Sequence, residues 1–294
     1  MRHVKLIFAG FVLSVLALVS CNNDENSIPE NKGRLNVLLT DSPFPIELIS
    51  STWVTIDKVE IRQHSESDED SFIVIAEGEM EFDLLELTNG ITEQLASVDL
   101  EAGVYDMIRL HVVDATVVLA NGTEFDLTVP SGSSSGLKIK ISPAIQLAEG
   151  QTSDVLLDFD VSKSFVAKGN INGQINGFNF KPVVRGIFLE YAGRIEGNVA
   201  DTTGAPLENA SVQVLLPEDI GEADDDEMDD EEMEEDDDYK LVSTFSDVDG
   251  RYKLIGIPEG TYTVICELEG YQTDTIQGVA VTSGNSTKVD FELE

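Results

Sequence analysis

Positive charge is scarce in this 294-residue chain: 18 Lys+Arg stand against 56 Asp+Glu, a formal net charge of −38. Such a surface repels polyanions, which sets nucleic-acid binding aside. Cysteine is nearly absent. The chain has two, Cys21 and Cys266, and a disulfide framework is excluded. Histidine is limited to His3, His64 and His111. With one inward-facing cysteine these offer no zinc spacing, and no glycine-rich phosphate loop with its lysine occurs. There is one tryptophan and no loop with clustered aromatics; Trp53 falls inside a strand pattern and reads as core. The longest apolar run, Leu6 to Val19, is too short to span a bilayer comfortably as a helix.

That run follows a basic start at Arg2, His3 and Lys5, the order of a secretory signal. It ends Leu18-Val19-Ser20-Cys21, which resembles a bacterial lipobox, a small residue before a cysteine that is lipidated and becomes the new N-terminus. The expectation is a signal peptide over 1–20, cleavage between Ser20 and Cys21, and acyl chains on Cys21 that hold the protein to the membrane. Loss of Arg2 and Lys5 leaves 16 basic and 56 acidic residues, a net of −40. The following Asn22-Asn23-Asp24-Glu25-Asn26 resembles the acidic export signal of Bacteroidetes-type surface lipoproteins, without the lysine or glutamine that often precedes it. The expected location is the outer membrane, lipid-anchored and cell-surface exposed, or otherwise facing the periplasm. Residues 21–33 read as a tether.

From Arg34 the pattern becomes β. Leu35, Val37 and Leu39 alternate with polar residues, Leu38 excepted. Val104, Ile108, Leu110 and Val112 share one face of another strand. Within Trp53–Ile61 the apolar phase changes near Asp57-Lys58, the mark of a bulge. Further strands are expected at 71–76, 115–119, 123–129, 137–147, 153–159 and 178–191, and one helical turn at 84–97. Beyond Gly193 a second series begins. Tyr262, Val264, Cys266 and Leu268 share a face, as do Val289, Phe291 and Leu293. Cys266 therefore points inward as a small buried hydrophobe. No linker separates the series, which implies a stiff end-to-end arrangement. Glu222 to Asp238 holds 14 acids in 17 residues, and the insertion 218–238 reads as a disordered loop. The chain is thus read as all-β: two consecutive β-sandwich domains of the immunoglobulin/transthyretin-like kind, at 34–191 and 192–294.

One stretch imitates an enzyme. Pro130 to Lys140 contains Gly132-Ser133-Ser134-Ser135-Gly136, a literal G-x-S-x-G, and Ser135 with Lys138 makes S-x-x-K. A nucleophile elbow needs a helix after the serine. Here Leu137 to Ile141 alternates as a strand, and no histidine follows residue 111. The stretch reads as a Ser/Gly loop joining two strands, and no catalytic residue is assigned.

The first series resembles a family of bacterial secreted domains of unknown function, numbered 4382. The resemblance rests on Leu39-Thr40-Asp41-Ser42-Pro43, Val54 to Val59, Asp83 to Gly90, and Gly103-Val104-Tyr105 leading to Ile108-Arg109-Leu110. It continues through Pro130-Ser131-Gly132 with Gly136 to Ile139, Leu157-Asp158-Phe159-Asp160 with Ser162-Lys163-Ser164, and Phe180 to Arg185. It implies a secreted β-sandwich and no known activity. The second series resembles the carboxypeptidase regulatory-like domain through Gly197-Asn198-Val199, Gly204 to Val212, Ser246 to Tyr252, Ile257 to Tyr262 and Gly270-Tyr271. That resemblance implies a transthyretin-like, carbohydrate-binding-like fold, on which adhesion to glycan or protein is an expectation. The acidic insertion departs from the family pattern.

No cofactor is assigned. Four aspartates are calcium candidates. Asp247-Val248-Asp249-Gly250 resembles the start of a calcium loop, but position 12 is Pro258 rather than a glutamate, and a β-turn explains the same residues. Asp158 and Asp160 alternate about Phe159 and either ligate Ca²⁺ or are simply solvated. The expected function is a non-enzymatic, surface-anchored lipoprotein binding glycan or protein. The alternative is a pilin-like subunit that polymerises by strand exchange.

Overall fold

The computed structural model describes residues 27–42, 49–64, 71–129, 135–169, 175–216 and 240–294. The signal peptide with Ser20 and Cys21, the motif residues up to Ser134 and the acidic insertion lie outside the described residues. Among the described residues, no helix is long and apolar enough to cross a membrane.

The chain is all-β. The first part contains β1 (Lys32–Ser42), β2 (Ile49–Gln63), β3 (Phe72–Asp83), β4 (Glu93–Glu101), β5 (Gly103–Leu119), β6 (Glu124–Leu127), β7 (Leu137–Leu147) and β8 (Thr152–Asp160). A single helical turn, α1 (Val161–Ser164), leads to β9 (Phe165–Gly169), β10 (Ile175–Phe180) and β11 (Val184–Phe188). The hydrogen-bonded order is β3-β2-β5-β7-β11-β8-β1-β4, with β6 on β5. The path is thinnest between β7 and β11, where the register holds one parallel pair, Ile141 with Gly186. There it folds into two leaves, β3-β2-β5-β7 and β11-β8-β1-β4. Apolar phases from both leaves meet inside: Leu35, Val37 and Leu39 against Val54, Ile56, Ile108 and Leu110, all fully buried. Each such side chain contributes about 1.5–3 kcal/mol by leaving water. Phe159, Phe165 and Phe180 close one end, with ring centroids 4.9–6.5 Å apart.

The remaining strands are β12 (Ala192–Asp201), β13 (Ser211–Leu216), β14 (Lys240–Phe245), β15 (Arg251–Pro258), β16 (Gly260–Glu267), β17 (Asp274–Val281), β18 (Ser286–Lys288) and β19 (Phe291–Leu293). They form two sheets, β15-β12-β18 with β19 on β12, and β14-β13-β16-β17. Ile195, Val212, Val264, Cys266 and Phe291 are buried between them. Cys266 is inward as expected, and burial pushes its thiol up to about 12.

Several local expectations need correction. The helical turn at 84–97 is a 3-10 turn over Leu84–Leu87 only. Asn89 and Gly90 both take left-handed φ, 57° and 75°, which stops it. The residues that follow form β4, because they pair with β1 from Glu93 to Glu101. The strand expected at 178–191 is broken at Lys181–Val183, where Pro182 offers no N–H. Trp53 is half-buried rather than core. It lies on the phase opposite Val54 and donates from Nε1 to Ser51 Oγ at 3.0 Å. The bulge is present, as a register shift between Ile56 and Lys58.

Leu38, the exception to the alternation of β1, has a tertiary explanation. A third apolar cluster joins Leu38, Leu156 and Ile187 to Leu189, Ala192 and Ile255 of β15. The outer face of the β11-β8-β1 leaf is therefore covered by the following sheets, and β8 is buried on both faces from Val155 to Asp160.

Candidate functional site

Two places concentrate polar chemistry. The first is the outward face of the β3-β2-β5-β7 leaf. The antiparallel registers set Lys58 opposite His111, Glu60 opposite Arg109, and Arg109 opposite Lys138. Met107 stands between Arg62 and Lys140. Residues opposed in this way share a face, so five basic side chains converge on one side of a strongly acidic chain. Glu60 Oε2 lies 2.8 Å from His111 Nε2 and accepts from Arg109 Nη1 at 3.4 Å. Burial pushes the Glu60 carboxyl up, but the His111 bond and the Lys58 and Arg109 charges outweigh it, and the carboxyl is held below its ordinary value. The Arg109 guanidinium stacks on the Phe72 ring, 3.6 Å from its centroid. Next to it, Arg62 donates from Nε and Nη2 to both oxygens of Asp106 at 2.9 and 3.2 Å. Lys138 and Lys140 are exposed on this face, as is Val74 of β3, which stands opposite Glu60.

The enzyme-like motif ends at this face. A Cβ placed on Gly136 would lie 2.8 Å from His111 Nε2 and 2.6 Å from Arg109 Cγ, so the backbone beside Ser135 presses on the His111–Glu60 pair. Sequence reasoning missed this packing of Gly136 against His111 and Arg109. The elbow geometry is nevertheless missing: β7 follows Gly136 directly, and His111 Nε2 is occupied by Glu60.

The second place is the junction between the β11-β8-β1 leaf and β14–β15. Asp158 and Arg185 are opposite one another on β8 and β11. They form a buried ion pair between Oδ2 and Nη2. Asp41 is buried beside them. Burial, and next the Asp158 charge, push its carboxyl well above the ordinary range, against one bond accepted from Val161 N at 3.3 Å. Asp160 caps α1, accepting from Lys163 N at 3.1 Å and Ser162 Oγ at 2.6 Å, and burial raises its carboxyl. Asn89 ties the two parts together: its N–H donates to Thr244 Oγ1 at 3.1 Å and its Nδ2 to Arg251 O at 3.4 Å.

The calcium candidates are thus placed differently from one another. Asp158 and Asp160 are buried and bonded within the protein rather than solvated. Asp247 Oδ1 accepts from Asp249 N at 2.9 Å and Arg251 N at 2.8 Å, and Asp249 pairs with Arg251 at 2.8 Å. Those two residues build the turn they occupy. Among the described residues, no three His, Cys, Asp or Glu side chains converge as a metal cage.

The family model described as Domain of unknown function (DUF4382) matches residues 32–182, just over half of the chain. The chain belongs to that family. Both polar places use DUF4382 strands. The carboxypeptidase regulatory-like domain model matches residues 194–294, the range that holds the second buried core. No curated protein matches the chain. Among solved structures, the Bacillus anthracis TIE protein is 14% identical, over 90% of this chain and 34% of that one, with a TM-score of 0.24. The chain thus spans about a third of that protein's length. The minor pilin of Streptococcus agalactiae is 11% identical over 88% of this chain and 94% of that one, with a TM-score of 0.23. The pilus backbone protein of Streptococcus pneumoniae is 11% identical over 91% and 66%, with a TM-score of 0.24. Likeness at this level carries no functional argument.

Proposed function

We propose that this protein is a non-enzymatic lipoprotein, anchored by acyl chains on Cys21 to the outer membrane and displayed at the cell surface. Its two β-sandwich units, 34–191 and 192–294, follow the signal 1–20 and the tether 21–33. In this reading it binds glycan or protein through the outward face of β3-β2-β5-β7. The observation that carries the proposal is the platform itself: an arginine stacked on Phe72, two exposed lysines and exposed Val74 on rigid strands. Such a surface suits a ligand with apolar faces and acidic or hydroxyl groups. A glycan and matrix-protein binding screen tests it, run beside a Lys138→Ala/Lys140→Ala variant. The expected result is a captured ligand whose affinity falls at least several-fold in the variant. Equal capture by both proteins removes this face as the site.

The second reading is a pilin-like subunit assembled by strand exchange. It is favoured by β3, an end strand of its leaf that exposes Ile73 and Val74. An immunoblot of outer-membrane material, unboiled against boiled, separates the two. A ladder that collapses on boiling supports polymerisation, and a single band near monomer mass opposes it.

A further inference from the structure

The cations of the outward face are not spread evenly over it. Five of the 16 Lys+Arg beyond residue 20 stand there, Lys58, Arg62, Arg109, Lys138 and Lys140. They face three carboxylates, Glu60, Asp106 and, opposite Lys58, Glu77. Arg62 is matched by both oxygens of Asp106. Lys58 and Arg109 share Glu60, at 3.9 and 3.4 Å. Lys138 and Lys140 have no ion-pair partner among the described residues. The unmatched positive charge therefore lies along β5 and β7. The other edge is acidic, since β3 exposes Glu77, Glu79 and Glu81. The result is a narrow stripe. Lys138 and Lys140 are two residues apart on one side of β7, so their Cα atoms are about 7 Å apart. Arg109 stands opposite Lys138, with Cβ atoms about 5 Å apart. Glu60 and the Phe72 ring hold Arg109 in place, and its buried Nε meets no acceptor.

We propose that this stripe binds an acidic polysaccharide, a linear sugar chain carrying carboxylate or sulfate groups, across Lys138, Lys140 and Arg109. The inference rests on the reading of the outward face as the binding surface, and it names the ligand class for that face. The net charge of the molecule opposes a polyanion at long range. Within the Debye length, about 8 Å at physiological salt, the local cations decide. Shape and composition separate the polyanions that could dock. A bilayer is a plane that would meet Glu77, Glu79 and Glu81 together with the lysines, and polybasic membrane sites use about four to eight cations. Protein interfaces are depleted in lysine and anchored by aromatic side chains in desolvated pockets. Here the Phe72 ring lies under Arg109, and the lysines are what is exposed. A narrow, flexible chain follows the stripe and leaves β3 in water.

The test is equilibrium binding of the mature chain to immobilised dextran sulfate and polygalacturonate, beside neutral dextran, poly-glutamate and phosphatidylglycerol vesicles. Binding to the two acidic polysaccharides and none to neutral dextran is expected. Lys138→Gln/Lys140→Gln keeps most of each stem and removes two exposed charge contacts, so it should weaken dextran sulfate binding roughly 2- to 30-fold. Lys138→Arg/Lys140→Arg should retain it. Affinity should fall with salt. For dextran sulfate the slope of log K against log salt should be shallower by roughly 1.5 in the Gln variant, about 0.7–0.9 for each contact removed. Neutral dextran bound as tightly as dextran sulfate, and weakened in the Gln variant, overturns the acidic class while the face remains the binding surface. Failure of both acidic polysaccharides to bind overturns it too, and the screen with Lys138→Ala/Lys140→Ala still decides the face. An acidic polysaccharide bound equally by wild type and the Gln variant overturns it by placing that binding elsewhere. Poly-glutamate or the vesicles bound as tightly as dextran sulfate overturn it in favour of an acidic protein or a membrane.

Discussion

Replacing Arg185 with methionine should be among the most damaging single changes in the molecule. Arg185 is 7% exposed and Asp158 4% exposed, and they face one another across β8 and β11. Methionine fills much of the arginine's volume, so the cost comes chiefly from charge. An exposed ion pair is worth about 0–1 kcal/mol. Removing one member of a buried pair strands the other and costs about 3–5 kcal/mol. The larger figure applies here, because Asp158 would be left beside Asp41 and Asp160 with no cation. For a unit of this size that corresponds to a Tm loss of about 10 °C. Urea unfolding followed by Trp53 fluorescence measures it, since the single tryptophan lies on β2 and reports the DUF4382 core. Asp158→Asn/Arg185→Met should recover most of the loss, since neither charge is then unpaired. Lys288→Ala is the control: its pair with Asp290 is 68% and 50% exposed, and it should unfold like wild type. A change below about 1 kcal/mol in Arg185→Met, or a double variant equal to the sum of the singles, would refute the reasoning.

Acidity gives a signed test at Asp41. Its carboxyl is raised by burial and neighbouring charge, so the native state holds a proton that the unfolded chain has already released. Stability from this residue is present at low pH and is lost as pH rises above the ordinary carboxylate range toward its raised native value. The difference between wild type and Asp41→Asn should therefore grow toward neutral pH, and a flat difference contradicts the assignment. Tyr252 donates its buried hydroxyl to Val289 O at 2.6 Å, so Tyr252→Phe should lower stability by about 1–3 kcal/mol in chemical denaturation. Gly256 has φ +69°, and an added Cβ would lie 2.9 Å from Leu156 Cδ2. Gly256→Ala should loosen the junction, seen as faster amide exchange along β15 with the β13–β16 pairing unchanged. In a Cys21→Ser chain, Cys266 is the sole thiol. With burial raising it to about 12, it should react with a thiol reagent only on unfolding.

Strand identity was legible because it depends on local alternation. Leu35-Val37-Leu39 and Tyr262-Val264-Cys266 announce one buried face without reference to any partner, and the sheets bury those residues. The two families were legible for a similar reason, since their motifs are turns and strand ends whose residue types are set locally. Where β4 begins was not legible. Leu84 to Ala96 has helical spacing, and the pairing of its later part with β1 decides otherwise. Trp53 was misread because β-propensity says a residue is in a strand, not on which face. The two polar places were invisible for a deeper reason. Arg109, His111, Glu60 and Lys138 come from three strands, and only antiparallel register puts them side by side. Asp158 gave a signal as one of a carboxylate pair, but burial and Arg185 are its real surroundings. Leu38 and Leu156 were the one hint of the junction, apolar residues on the phase that should face water. A single chain's pattern records which residues avoid solvent; what covers them, and which charges are shut in with them, is settled only when distant strands meet.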